Sequence, residues 1–136
     1  MACDSIDTNI IVRTIIADNR AQREAAWRLL SEGKHRVLDA AVTETIYVLE
    51  SVYQQDRLSI ANELTSFFHQ FCNTLDYNIT IVKMILPFWA THPSLSFVDC
   101  YLAFSSELLQ TEPLITLDKK LAAQHPSAKL LQSVTI

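Results

Sequence analysis

A single glycine, Gly33, serves all 136 residues. Glycine-rich phosphate cradles, dinucleotide-binding turns and glycine-turned hairpins all need positive φ or close backbone approach, so those nucleotide-binding architectures are excluded. Cysteine is also sparse. Cys3, Cys72 and Cys100 are an odd, scattered set without C-x-x-C spacing, which argues against a disulfide framework or a zinc site and fits a reducing cytoplasm. No apolar run approaches the roughly 18 to 20 residues that span a bilayer. The start is polar and acidic, unlike a signal peptide, so the expected location is cytoplasmic, with no membrane partner. An excess of positive charge is missing too: eleven Lys and Arg against fifteen Asp and Glu leave a net charge of −4, which gives no global attraction to nucleic acid or an anionic membrane.

What is present is a core. Hydrophobic residues make up 49% of the chain and charged residues 19%, enough apolar material for one globular domain over residues 1–136. The cations are concentrated near the start. Arg13, Arg20, Arg23, Arg28, Lys34 and Arg36 outnumber Asp18, Glu24 and Glu32 between residues 13 and 36, and that segment is either a solvated helix face or a rim that faces phosphates.

Short apolar segments alternate with helical ones. From Cys3 the chain reads as a short strand running into Asp7-Thr8-Asn9, and Asn19 caps a helix over Arg20 to Ser31 that Gly33 stops. Arg36 to Leu38 reads as a second strand, with Asp39 capping a helix to about Tyr53 on the stripe Val42, Ile46, Leu49. Ser59 begins a third helix whose buried face is Leu64, Phe67, Phe68 and Phe71. The β-branched run Ile79 to Val82 reads as a strand or extended segment, and a short helix follows from Met84 to His92 with Pro87 in its first turn. Ser96 caps a helix to about Gln110 with Phe97, Tyr101, Phe104 and Leu108 toward the core. Leu114 to Leu117 reads as a buried strand, Asp118 caps a brief helix, and the tail after Pro126 offers a last edge strand. This alternation predicts an α/β domain with a mainly parallel sheet.

In such sheets ligands bind beyond the carboxyl ends of the strands. Asp7 and Asp118 fall there, Asp99 lies in the first turn of a helix, and Glu44 lies one and a half turns into another. Carboxylates gathered within ~4 to 6 Å cannot all stay ionised without a cation, for which Mg²⁺ or Mn²⁺ is the simplest. Each acid also has a purely structural explanation. Asp7 can make an Asx turn, Ser96-x-x-Asp99 has the form of a capping box, and Asp118 can be an N-cap. Glu44 and Glu50 border opposite sides of their helix's apolar arc, and periodicity does not choose between them.

The order of the motifs resembles that of the PIN-domain nucleases, in particular the VapC-like toxins of toxin–antitoxin pairs. Ile6-Asp7-Thr8-Asn9 is similar to the family's opening motif, and Asp39-Ala40-Ala41-Val42-Thr43-Glu44 to its second, a register that selects Glu44. Phe97-Val98-Asp99 is similar to the third motif and Leu114-Ile115-Thr116-Leu117-Asp118-Lys119 to the fourth. The departures are Cys3 and Asp4 in the opening strand and Glu112-Pro113 at a bend where relatives commonly have glycine; none touches the four acids.

The resemblance implies a three-layer PIN-like α/β domain, its mainly parallel central sheet flanked by helices. It also implies an Mg²⁺- or Mn²⁺-dependent endoribonuclease whose catalytic, metal-binding residues are Asp7, Glu44, Asp99 and Asp118, with Asn9 and Thr116 orienting the carboxylates. Lys119, Lys120 and Arg13 flank the acids and are either phosphate contacts or simply solvated, and His35, His69, His92 and His125 show no ligand-like pairing and read as surface or packing residues. The implied partners are an RNA substrate, an antitoxin protein over the site and a second copy in a homodimer. A PIN nuclease of RNA maturation without an antitoxin, and a catalytically idle PIN-like interaction module, are the alternatives.

Overall fold

Four of the five strands among the described residues are followed directly by a helical segment, a connection that suits parallel pairing. The computed structural model describes residues 3–132, in two compact units that divide after Val82.

The first unit opens with β1, Asp4–Ser5, α1, Thr8–Ile15, and α2, Arg20–Ser31. It continues with β2, His35–Arg36, α3, Asp39–Ser51, α4, Arg57–Gln70, and β3, Leu75–Asp76. The strands lie in the order β1-β2-β3, all parallel, with Ser5 opposite Arg36 and Arg36 opposite Asp76. Two bonds carry the ladder past the strand ends, from Ile6 N–H to the Arg36 carbonyl (3.1 Å) and from Val37 N–H to the Asp76 carbonyl (2.9 Å). Helix α1 packs against α2 and α3, and α3 against α4. Ile11, Leu30, Val42, Leu49, Ile60, Leu64 and Phe68 are buried, each worth about 1.5 to 3 kcal/mol of hydrophobic stabilisation.

A π-helical turn, Ile81–Ile85, leads into the second unit. There α5, Leu86–Thr91, and α6, Phe97–Leu108, precede β4, Leu114–Thr116, α7, Lys119–Gln124, and β5, Ala128–Leu130. β4 and β5 pair in parallel, with Leu114 opposite Ala128. Leu86, Trp89, Leu95, Cys100, Ala103 and Leu121 are buried. The expected α/β class and parallel pairing are present, and the strands among the described residues form two short sheets, one in each unit.

The local signals account for most boundaries. The Asn19 side chain accepts from Gln22 N–H (3.0 Å) to start α2, which ends just before Gly33 at φ +73°. Pro87 sits in the first turn of α5, where its missing N–H costs nothing.

Several expectations need correction. The Asp7-Thr8-Asn9 segment and the apolar Ile10 to Val12 after it enter α1, and β2 begins one residue and ends two residues earlier than expected. Asp39 is the first residue of α3 rather than its cap; Leu38 takes the cap position with no side-chain bond. Helix α4 starts before Ser59, because Asp56 accepts from the Ser59 N–H (2.8 Å), a bond that also holds the Asp56 carboxyl below the usual range. Residues 79–82 are wound into helix, since Asn78 accepts from Thr80 N–H (3.1 Å) and the strand forms earlier, at Leu75–Asp76. The interior side of α6 is Phe97, Cys100, Ala103 and Ser106, whereas Leu108 is exposed. β4 is only partly covered, with Ile115 exposed. The expected last strand is β5, and the tail beyond Gln132 lies outside the described residues.

Candidate active site

An N-cap carboxylate satisfies a backbone N–H that the first turn of a helix leaves without a partner. Three of the four acids singled out above do this. Asp7 caps α1, its Oδ1 accepting from Thr8 N–H at 2.7 Å. Asp118 caps α7, its Oδ1 accepting from Lys120 N–H (2.9 Å) and Leu121 N–H (3.2 Å). Asp99 completes the capping box of α6: its Oδ2 accepts from Ser96 N–H (3.0 Å) and Ser96 Oγ accepts from Asp99 N–H (3.1 Å). The structural explanations of the three aspartates are therefore all realised. They do not exhaust the carboxylates, because in each case one oxygen is fixed on the backbone and the second makes no hydrogen bond among the described residues.

Each unit carries two of the four acids. In the first, Asp7 heads α1 and Glu44 lies on α3, and these helices pack together, with Thr8 Oγ1 donating to the Ala41 carbonyl at 3.5 Å. Glu44 is exposed and makes no ion pair among the described residues, whereas Glu50 accepts from Arg57 Nε at 3.2 Å. In the second, Asp99 heads α6, which packs against β4, and Asp118 follows β4. Within neither unit do three His, Cys, Asp or Glu side chains gather to hold a metal ion among the described residues. The donor chemistry suits Mg²⁺ or Mn²⁺, because carboxylates pinned at one oxygen and open at the other are oriented hard ligands.

Thr116 Oγ1 accepts from Asp118 N–H at 3.0 Å and so holds the backbone of the acid it precedes. Asn9 is exposed in the first turn of α1 and lines a shallow cleft with Arg13 and Gln22. Arg13 pairs with Asp18, which raises its pKa. Lys119 and Lys120 are exposed in the first turn of α7.

Of the histidines, two are packing residues. His35 is buried, and its Nε2–H is shared between the carbonyls of Leu29 (2.8 Å) and Glu32 (2.7 Å) at the end of α2. His125 is buried against the rings of Phe88 and Phe104.

Two clefts in the first unit complete the description. One, of about 320 Å³, lies among α1, α2 and α4, where Trp27 meets the edge of Phe71 at 5.0 Å and Arg23 stands over Trp27. Burial raises the Glu63 pKa beside it. The other, of about 400 Å³, opens where β2 and β3 end and is lined by Arg36, Leu38, Asp39, Asp76, Tyr77 and Asn78. The sequence reading passed over Tyr77 and Asn78 and took Asp39 for a cap. Their only signal was position, immediately after two strands.

No helix among the described residues is long and apolar enough to cross a membrane. No curated protein and no solved structure matches the chain. Acids at the exits of parallel strands, held at helix starts, agree with a comparison of a different kind. The PIN domain family model matches residues 5–124, a span that includes all four acids, and the chain belongs to the PIN domain family, whose members are generally nucleases that use divalent metal ions.

Proposed function

We propose that this chain is an Mg²⁺- or Mn²⁺-dependent endoribonuclease and the toxin of a toxin–antitoxin pair. Asp7, Glu44, Asp99 and Asp118 are its metal-binding and catalytic residues, an antitoxin covers them, and the active form is a homodimer. The observation that carries the catalytic part is the shared state of the three aspartates: each has one oxygen fixed on a backbone N–H and the other uncommitted. Asparagine or serine would cap α1 and α7 about as well as Asp7 and Asp118, so beyond the favourable interaction of a carboxylate with a helix N-terminus the charge at the second oxygen is free for a cation.

Bound by these acids, divalent metal would supply Lewis-acid polarisation of the phosphodiester and a water acidic enough to attack near neutral pH. The chain's own part is orientation. The backbone bonds of Asp7, Asp99 and Asp118 limit the directions their free oxygens can take, and Thr116 steadies Asp118 from behind. A histidine base is not required. The toxin assignment and the antitoxin rest on the motif order, and the homodimer is supported by the exposed Val98 and Leu102 of α6 and Leu109 at its C-terminal cap.

The test is incubation of the purified protein with structured and single-stranded RNA in Mg²⁺, in Mn²⁺ and in EDTA, beside Asp7→Asn and Asp99→Asn. Cleavage that needs metal and disappears in both variants supports the nuclease. Absence of both cleavage and metal binding overturns it. Recovery of a small bound protein whose removal raises activity is the expected sign of the antitoxin.

A further inference from the structure

The three strands of the first unit are parallel and in register, so the residues after them leave the sheet along one edge: Asp7 after β1, Leu38 and Asp39 after β2, Tyr77 and Asn78 after β3. Neighbouring strands stand about 4.8 Å apart. The cleft of about 400 Å³ at the ends of β2 and β3 therefore begins one strand away from Asp7.

Beside the carboxylates of Asp39 and of Asp76, the latter paired with Arg36, its lining offers three groups suited to a nucleotide. Tyr77 supplies a flat ring, stacked on Phe68 at 4.3 Å and 28°. Phe68 is almost wholly buried, so the ring above it is already fixed and a stacking ligand immobilises little further side chain. Arg36 supplies a guanidinium whose side chain is 58% exposed; it is held by Asp76, a contact that occupies only part of its donor fork. Asn78 uses its Oδ1 on Thr80 N–H and keeps its amide NH₂ as a donor, with the half-exposed Leu38 as an apolar wall. A ring to stack on, a cation for a phosphate and an amide for a base edge are what an unpaired nucleotide requires.

We propose that this cleft is a nucleotide subsite for single-stranded RNA, in which a base stacks on Tyr77 and Arg36 contacts its phosphate, holding the strand across the edge of the sheet beside Asp7. The assignment rests on the nuclease reading of Asp7 but makes its own prediction, because binding here requires neither metal nor cleavage. Arg36 also gives one member of the basic segment a specific partner, whereas the other cations of that segment remain solvated or paired.

The experiment is equilibrium binding of a short, fluorescently labelled single-stranded RNA of mixed sequence to the full chain in EDTA. Tyr77→Leu retains apolar packing on Phe68 and removes the stacking face, and is expected to weaken binding about five- to 150-fold. Tyr77→Phe is expected to bind within about twofold of the parent, since base–aromatic stacking needs the ring rather than the hydroxyl. Arg36→Gln, at an exposed position, is expected to weaken binding and lower the salt slope by about one. Lys129→Gln, an exposed cation on β5, is the control and leaves affinity unchanged.

Parent-like affinity in both Tyr77→Leu and Arg36→Gln overturns the proposal, as does an RNA that the parent protein fails to bind. If Tyr77→Leu fails to melt like the parent, Arg36→Gln and Tyr77→Phe decide the matter. Cleavage in Mg²⁺ with an affinity indifferent to Tyr77 and Arg36 removes the subsite and leaves the nuclease. Binding that depends on Tyr77, without cleavage under any condition, does the reverse.

Discussion

At the scale of the residue, each aspartate uses one oxygen at a helix start and is proposed to use the other on a metal ion. Asp7→Asn retains a cap oxygen for Thr8 N–H and removes the charge, so its melting should change little while cleavage falls by more than the ten- to hundredfold expected of a residue that only orients a ligand. Asp7→Ala removes the cap as well and is expected to lose about 0.5 to 2 kcal/mol of stability. Thermal melts and cleavage rates measured on both variants separate the two tasks. Equal loss of stability in both would mean that the charge itself holds the helix start. The motif order drew attention to these residues, but their double use was not legible, because a capping box and a metal ligand place the same carboxylate in the same first turn.

At the scale of the element, what could be read was whatever is settled within one turn. Asn19 and Ser96 act on N–H groups three residues away, and both helices start where the sequence placed them. Strands only two or three residues long are defined by partners distant in the chain, which is why β2 was displaced and why the β-branched run at Ile79 was mistaken for β3. On α6 the size of Tyr101, Phe104 and Leu108 suggested the wrong side. Cys100 and Ala103 are the more deeply buried, and small side chains let α5 and β4 approach closely. The cleft residues escaped notice because Arg36 and Tyr77 become neighbours only when β2 and β3 pair.

The same scale carries a pH prediction. Burial against Phe88 and Phe104 lowers the His125 pKa; nearby Glu107 opposes the shift and His92 reinforces it. The unfolded chain then takes up its proton at a higher pH than the fold does. Stability from this packing is complete above the ordinary histidine value of about 6.5 and declines as pH falls below it. Melting followed from pH 7.5 down to 5 should show that decline in the parent and a smaller one in His125→Phe; parallel curves would refute the assignment.

At the scale of the whole molecule, the open question of assembly has a defined test. Val98 and Leu102 on α6 and Leu109 just past its end are exposed, and burying such apolar residues is a common reason for a chain to pair with its copy. If that face closes the proposed homodimer, Leu102→Glu should sediment as a monomer at concentrations where the parent is dimeric, with an unchanged far-ultraviolet dichroism spectrum. Identical sedimentation of the two would move the interface elsewhere. The cap bonds of the aspartates also constrain how this chain can change over generations. A lineage that abandons catalysis can replace Glu44, which anchors no helix, with almost any polar residue. At positions 7 and 118 the helix caps favour asparagine, serine and threonine, and at position 99 the capping box favours a carboxylate or its amide, so a retired enzyme of this design would keep the outline of its former site long after the activity had gone.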